Sequence, residues 1–168
     1  MSICEKIIIT DTNIITDLSN ANLLEKFIKM DNVFISDLVK NDEINAKTGN
    51  VKLINKMKTI NSTPNQLIEV TNLAKIEHKL STYDILNFII ARDNNGILAT
   101  GDNRLKLYAE GHGIEVIRTL KIIDLMLTRK IISPLEVIKA CNLLIENEHT
   151  RIPKTEIQKL IEKCTIKN

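Results

Sequence analysis

The feature that most restricts what this chain can fold into is a set of five short, apolar, β-rich runs placed between stretches with helical periodicity. Lys6-Ile7-Ile8-Ile9-Thr10 is apolar on both faces, as a central strand covered by helices on each side must be. Residues 33–36 (Val-Phe-Ile-Ser), 67–70 (Leu-Ile-Glu-Val), 97–100 (Ile-Leu-Ala-Thr) and 114–117 (Ile-Glu-Val-Ile) read the same way. Between them, Leu23, Leu24, Phe27 and Ile28 line one face of a helix, while Ile85, Leu86, Phe88, Ile89 and Ile90 form a largely buried one. Strands alternating with helices predict an α/β fold of three layers around a central parallel five-stranded sheet.

Past Ile117 the strand signals stop. Three helical segments are predicted at roughly 120–129, 134–147 and 154–164, the last with Ile157, Leu160, Ile161 and Cys164 at helical spacing. Two helix starts are marked by capping patterns, Ser81 with Asp84 and Ser133-Pro134 with Glu136. No repeat, low-complexity tract or Gly/Ser linker separates the tail. Residues 1–118 are therefore expected to form the α/β core and 119–168 a C-terminal helical tail, packed as an appendage on the same domain.

A chain of 168 residues is long enough to bury a core without staples. Its 43% hydrophobic and 26% charged residues fit a soluble globular protein. With 23 basic against 21 acidic residues, the net charge is only +2, which excludes a general polyanion-binding surface and leaves a local patch for any nucleic acid. Cys4, Cys141 and Cys164 are odd in number and widely spaced, so reduced thiols in a cytoplasm are expected rather than a disulfide framework. Neither a signal peptide nor an apolar run of membrane-spanning length is visible, and no membrane association is expected.

In an open parallel sheet, functional groups collect beyond the carboxyl ends of the strands. Asp11 follows the first strand in Thr10-Asp11-Thr12-Asn13, and Asp102 follows the fourth in Thr100-Gly101-Asp102-Asn103. Asp84 opens the helix leading into the fourth strand, and Glu43 sits about two helical turns past the second. Each acid lies on a different element, a distribution no local structural requirement explains. Singly, each has an ordinary reading: an Asx-turn for Asp11, a solvated helix face for Glu43, an N3 cap for Asp84 and an N-cap for Asp102. Asp37, directly after the second strand, is an alternative second acid or the N-cap of the next helix. Asp93 shares a helix with Asp84, but nine residues on it stands about 13 Å away and on the opposite face, so it is expected to be a surface or turn residue.

With these pieces in view, the sequence resembles the PIN domain family over roughly residues 6–118. The resemblance rests on Ile8-Ile9-Thr10-Asp11-Thr12-Asn13, on Asp42-Glu43-Ile44, on Leu80-Ser81-Thr82-Tyr83-Asp84 with Ala91, and on Leu98-Ala99-Thr100-Gly101-Asp102 with Leu105. It implies a nuclease that hydrolyses RNA with Mg²⁺ or Mn²⁺, with Asp11, Glu43, Asp84 and Asp102 as catalytic acids and metal ligands and Asn13 and Thr100 as polar support. Crowded carboxylates of this kind raise one another's pKa unless a hard cation neutralises them. Such a cation acidifies water and offsets the charge of an in-line displacement. Lys40, Lys47, Arg104 and Lys106 flank the crevice as candidate phosphate contacts. Arg151-Ile152-Pro153 before the last helix resembles a bacterial PIN subgroup often found as toxins of toxin-antitoxin pairs. The partners so implied are an RNA substrate, a small antitoxin protein and a second copy of the chain in a homodimer.

Other readings are weaker. Thr-Gly-Asp lacks the glycines and lysine of a phosphate-binding loop. His78, His112 and His149 share no metal-ligand spacing. Aromatic residues make up 3% of the chain, too few for a base-stacking platform. A receiver-like signalling domain would need paired acids at the first strand and a well-placed lysine after the fifth. A PIN fold kept only for binding RNA or a partner would have no need of all four acids.

Overall fold

In the computed structural model, residues 6–44 and 51–165 are described, and for 42–44 the backbone only. Five strands form one sheet: β1 (Ile8–Thr10), β2 (Val33–Ser36), β3 (Lys58–Ile60), β4 (Ile97–Ala99) and β5 (Glu115–Ile117). Every pairing is parallel and the order is β3-β2-β1-β4-β5. Parallel neighbours need crossovers, and helices supply them. On one face lie α1 (Thr12–Asn20), α2 (Leu24–Ile28) and α3 (Val51–Ile54). On the other lie α4 (Pro64–Ala74), α5 (Thr82–Asp93) and α6 (Asn103–Gly111).

Side chains alternate across the pleat, so each strand feeds two cores. Ile8, Val33, Ile35, Ile97, Ala99 and Ile117 pack with α1 and α2, while Ile9 and Leu98 meet Ile85, Phe88 and Ile89 of α5 on the far side. This double burial is why the strands read as continuous apolar runs. The chain then continues into α7 (Thr119–Thr128), α8 (Pro134–Glu146) and α9 (Lys154–Thr165). Ile122, Val137, Ile157, Leu160 and Cys164 from these helices join the same buried cluster as Ile8 and Ile14. Among the described residues no helix is long and apolar enough to cross a membrane.

One expected strand is not where the sequence reading puts it. Residues 67–70 lie inside α4, and the third strand is Lys58–Ile60 instead. Thr63 Oγ1 accepts from Gln66 N at 3.3 Å, Gln66 Oε1 accepts from Thr63 N at 3.0 Å, and Pro64 stands in the first turn. That capping box nucleates a helix over a segment whose Leu-Ile-Glu-Val composition alone favours a strand. Lys58-Thr59-Ile60 is exposed enough, at the sheet edge, to lack the apolar run that marks its neighbours.

Candidate metal and nuclease centre

The strand order reverses between β1 and β4: from β1 the chain builds outward to β2 and β3, then returns to start β4 on the other side. The two connections leaving such a point diverge and open a crevice at the strands' carboxyl ends. Asp11 and Thr100 are the residues directly after β1 and β4. Asp11 N still donates to Ala99 O at 3.0 Å, which extends the ladder up to the crevice.

Asp11 is the N-cap of α1, only 4% exposed, and its Oδ1 accepts from Ile14 N at 3.0 Å. The buried Thr100 hydroxyl donates to its Oδ2. Burial pushes the Asp11 carboxyl from 3.8 up to about 7, with the charge of Asp84 adding to the rise; the bonds from Thr100, Ile14 and Asn13 oppose it. Asp84 is the third residue of α5, and its Oδ2 accepts from Ser81 N at 2.9 Å and Ser81 Oγ at 2.8 Å in a capping box. Asp11, Asn13, Tyr83, Asp84 and Asn87 line one cavity of about 160 Å³.

Asn87 was not among the residues expected from the sequence. It follows Asp84 by three positions, on the same side of α5, and is 1% exposed. Its Oδ1 is buried without a hydrogen-bond partner among the described residues. An unanswered buried carbonyl costs about 1–3 kcal/mol. A lone amide among Ile85, Leu86, Phe88, Ile89, Ile90 and Ala91 was the available signal. The buried Asp11 carboxyl, the nearby Asp84 carboxyl and the Asn87 side-chain carbonyl bring oxygen donors to residues lining this cavity, the kind of donor a hard divalent cation takes.

Asp102 stands just outside this cavity. It is the N-cap of α6, its Oδ1 accepting from Arg104 N at 2.7 Å and Leu105 N at 2.9 Å. Its own N donates to Thr100 Oγ1 at 3.0 Å, so Asp11, Thr100 and Asp102 form one chain of contacts. Gly101 between them allows a close approach: a Cβ there would lie 3.2 Å from Asn13 Cβ. Among the described residues no three His, Cys, Asp or Glu side chains are grouped to hold a metal. Asp84 and Asp102 each accept hydrogen bonds at the N-terminus of their own helix.

Glu43 lies in a π-helical segment, Val39–Ile44, and its side chain falls outside the described residues, as does Lys47 altogether. Asp37 accepts from Ser62 N at 3.1 Å, Ser62 Oγ at 2.6 Å and Leu38 N at 2.9 Å; it ties the end of β2 to the loop after β3 and does not line the cavity. Lys40 Nζ donates to Asn55 O, Met57 O and Thr59 Oγ1 at 3.0–3.2 Å, which commits its ammonium to the approach to β3. Arg104 is exposed in the first turn of α6, and Lys106 lies 3.9 Å from Glu110. Asp93 is on the surface, accepting from Arg92 and Gln66 at the far end of α5.

One family's sequence model, described as a PIN domain, matches residues 7–165, covering the sheet, the crevice and the three C-terminal helices. No curated protein and no solved structure matches the chain.

Proposed function

Because this chain belongs to the PIN-domain family, whose members share a nuclease-like fold, we propose that it is a divalent-metal-dependent ribonuclease that hydrolyses RNA phosphodiester bonds in the cytoplasm. The observation that carries this reading is the cavity at the sheet's switch point, lined by Asp11, Asp84 and Asn87, whose Oδ1 has no hydrogen-bond partner among the described residues. Asp11 and Asp84 would hold Mg²⁺ or Mn²⁺ there, joined by Asp102 and Glu43 and by the Asn87 carbonyl. Such an ion would supply Lewis acidity, lowering the pKa of water and offsetting phosphodiester charge in an in-line displacement.

The chain's own groups do the rest. Thr100 fixes the Asp11 carboxyl through its hydroxyl and, through its oxygen, the backbone of Asp102. Burial favours the protonated Asp11 carboxyl below about pH 7, and holding a cation would require its carboxylate form. Asn13, which lines the cavity, and Arg104, in the first turn of α6, would meet substrate. The Arg151-Ile152-Pro153 segment supports a toxin role, with a small antitoxin protein as partner and a homodimer as the assembled state.

A second reading, a PIN fold that binds RNA or a partner without turnover, draws on the fact that no three described acidic, His or Cys side chains are grouped for a metal. The two are separated by incubating the protein with single-stranded RNA and Mg²⁺ or Mn²⁺, with and without EDTA. Cleavage that EDTA abolishes is expected. RNA bound but intact in either metal would favour the second reading, and cleavage equal with and without chelator would refute the metal-dependent mechanism.

A further inference from the structure

A second cavity, of about 200 Å³, adjoins the first. Asn13 and Thr16 on α1 line both, so the two are neighbours along one helix face. Its other walls come from Gly101 after β4, Arg118 to Leu120 after β5, and the connection from α8 into α9 around Arg151. Thus the C-terminal helices, which lie far in sequence from the acids, complete a hollow beside them.

The walls differ in chemistry. Arg118 donates through one nitrogen to Gly101 O at 2.9 Å, which sets its guanidinium at the mouth of the crevice. Arg151 faces the same space from the α8–α9 connection. Among the described residues neither guanidinium lies within 4 Å of a carboxylate, and their charges act on Asp17, in the same wall, only at longer range. An arginine fork left open in this way suits a phosphate. Leu120, Ile152 and Pro153 give the cavity an apolar side. Asp17, held by the Thr119 hydroxyl at 2.6 Å, and Glu156 put carboxylates in the lining as well. Those acids disfavour a bare inorganic anion, but they can accept from the amino and imino groups of a base. The combination of paired arginines, an apolar plate and base-edge acceptors matches one nucleotide.

We propose that this second cavity seats one nucleotide of single-stranded RNA next to the cleaved linkage, its phosphate between Arg118 and Arg151 and its base against Leu120, Ile152 and Pro153. The proposal rests on the nuclease reading of the neighbouring acid cavity. A single strand is required because only an unstacked base can turn into a hollow. The same cavity gives the C-terminal helices a substrate-facing role.

The test is fluorescence anisotropy of a labelled single-stranded RNA dodecamer, titrated in EDTA at several salt concentrations against wild type, Arg151→Ala and Arg118→Lys. Arg151 is exposed on a connection, so its loss should leave the fold intact; Arg118→Lys keeps the charge but loses the fork. Arg151→Ala is expected to weaken binding roughly 5- to 10-fold and to flatten the slope of log K against log salt by about 0.7, one phosphate contact on a single strand. Arg118→Lys should weaken binding several-fold with a nearly unchanged slope. Calorimetric Mn²⁺ titration of the same proteins should agree within two-fold, because the acid cavity is untouched. Equal affinity and slope in all three proteins would overturn the proposal, as would a wild type that binds no RNA. Adenosine monophosphate displacing the RNA at concentrations below the RNA's own Kd would also overturn it, since the cavity would then be a free-nucleotide site. Arginine-dependent binding by a protein that leaves RNA intact after Mn²⁺ is added would support this cavity as an RNA subsite while refuting the nuclease reading.

Discussion

Replacing Asp11 by Asn removes a carboxyl that the fold buries almost completely at the switch point, and the consequence should be a gain in stability for the metal-free protein. In the folded state burial raises this group from 3.8 to about 7. Below about pH 4 the carboxyl is protonated whether the chain is folded or not, and Asp11 costs little. Between about pH 4 and 7 the unfolded chain gives up its proton while the folded chain keeps it, so stability falls as pH rises. Above about pH 7 both states are ionised and the full penalty stands, about 4 kcal/mol at roughly 1.4 kcal/mol per pH unit. Asn carries no charge to bury. Its carbonyl can accept from Ile14 N, and its amide can donate to the Thr100 hydroxyl, at the loss of roughly 1 kcal/mol for the bond Thr100 now gives. The Asp11→Asn protein in EDTA should therefore gain on wild type by about 2–3 kcal/mol between pH 5 and pH 8. Urea unfolding of both proteins at the two pH values measures the difference directly. Mn²⁺ at about a thousand times Kd should reverse the order at pH 8, adding about 4.1 kcal/mol to wild type and nothing to the variant. A stability difference that is the same at pH 5 and pH 8 would refute the argument, because the carboxyl would then titrate as an ordinary exposed one.

Two further perturbations probe the same cavity. Asp84→Asn should lower metal-dependent RNA cleavage by at least about 10²-fold in kcat with little loss of fold, whereas Asp93→Asn, on the far end of α5, should stay within a few-fold; side-by-side kinetics with circular dichroism check both, and an inactive Asp93→Asn beside an active Asp84→Asn would overturn the placement of the site. Asn87→Leu removes a buried carbonyl that has no partner among the described residues, so the metal-free variant should be as stable as wild type or about 1 kcal/mol more stable, while its Mn²⁺ affinity falls about 10-fold. Thermal unfolding in EDTA and calorimetric Mn²⁺ titration measure the two, and a metal-free variant destabilised by more than about 1 kcal/mol would show that the amide holds the fold rather than an ion.

What could be read from the chain alone was whatever its local chemistry dictates. Burial on both faces forces Ile8-Ile9 and Ile97-Leu98 to be apolar throughout, so the central strands and the α/β class are visible in the composition of short segments. The capping boxes at Ser81 and Ser133 are likewise local, and both helices start there. Local pattern misled where two local signals compete: Leu67 to Val70 look like a strand, but the Thr63 and Gln66 cap makes them a helix, and the true β3, half-exposed at the edge, carries no apolar signature. The acids after β1 and β4 could be named in advance because a parallel sheet delivers strand ends to one edge. Their state could not. The depth at which Asp11 is buried, its contact with Thr100 eighty-nine residues on, the orphaned Asn87 oxygen and the meeting of Asn13 with Arg118 and Arg151 all depend on segments distant in sequence. Desolvation and hydrogen-bond partnership are properties of the packed neighbourhood, so only the tertiary structure could decide them.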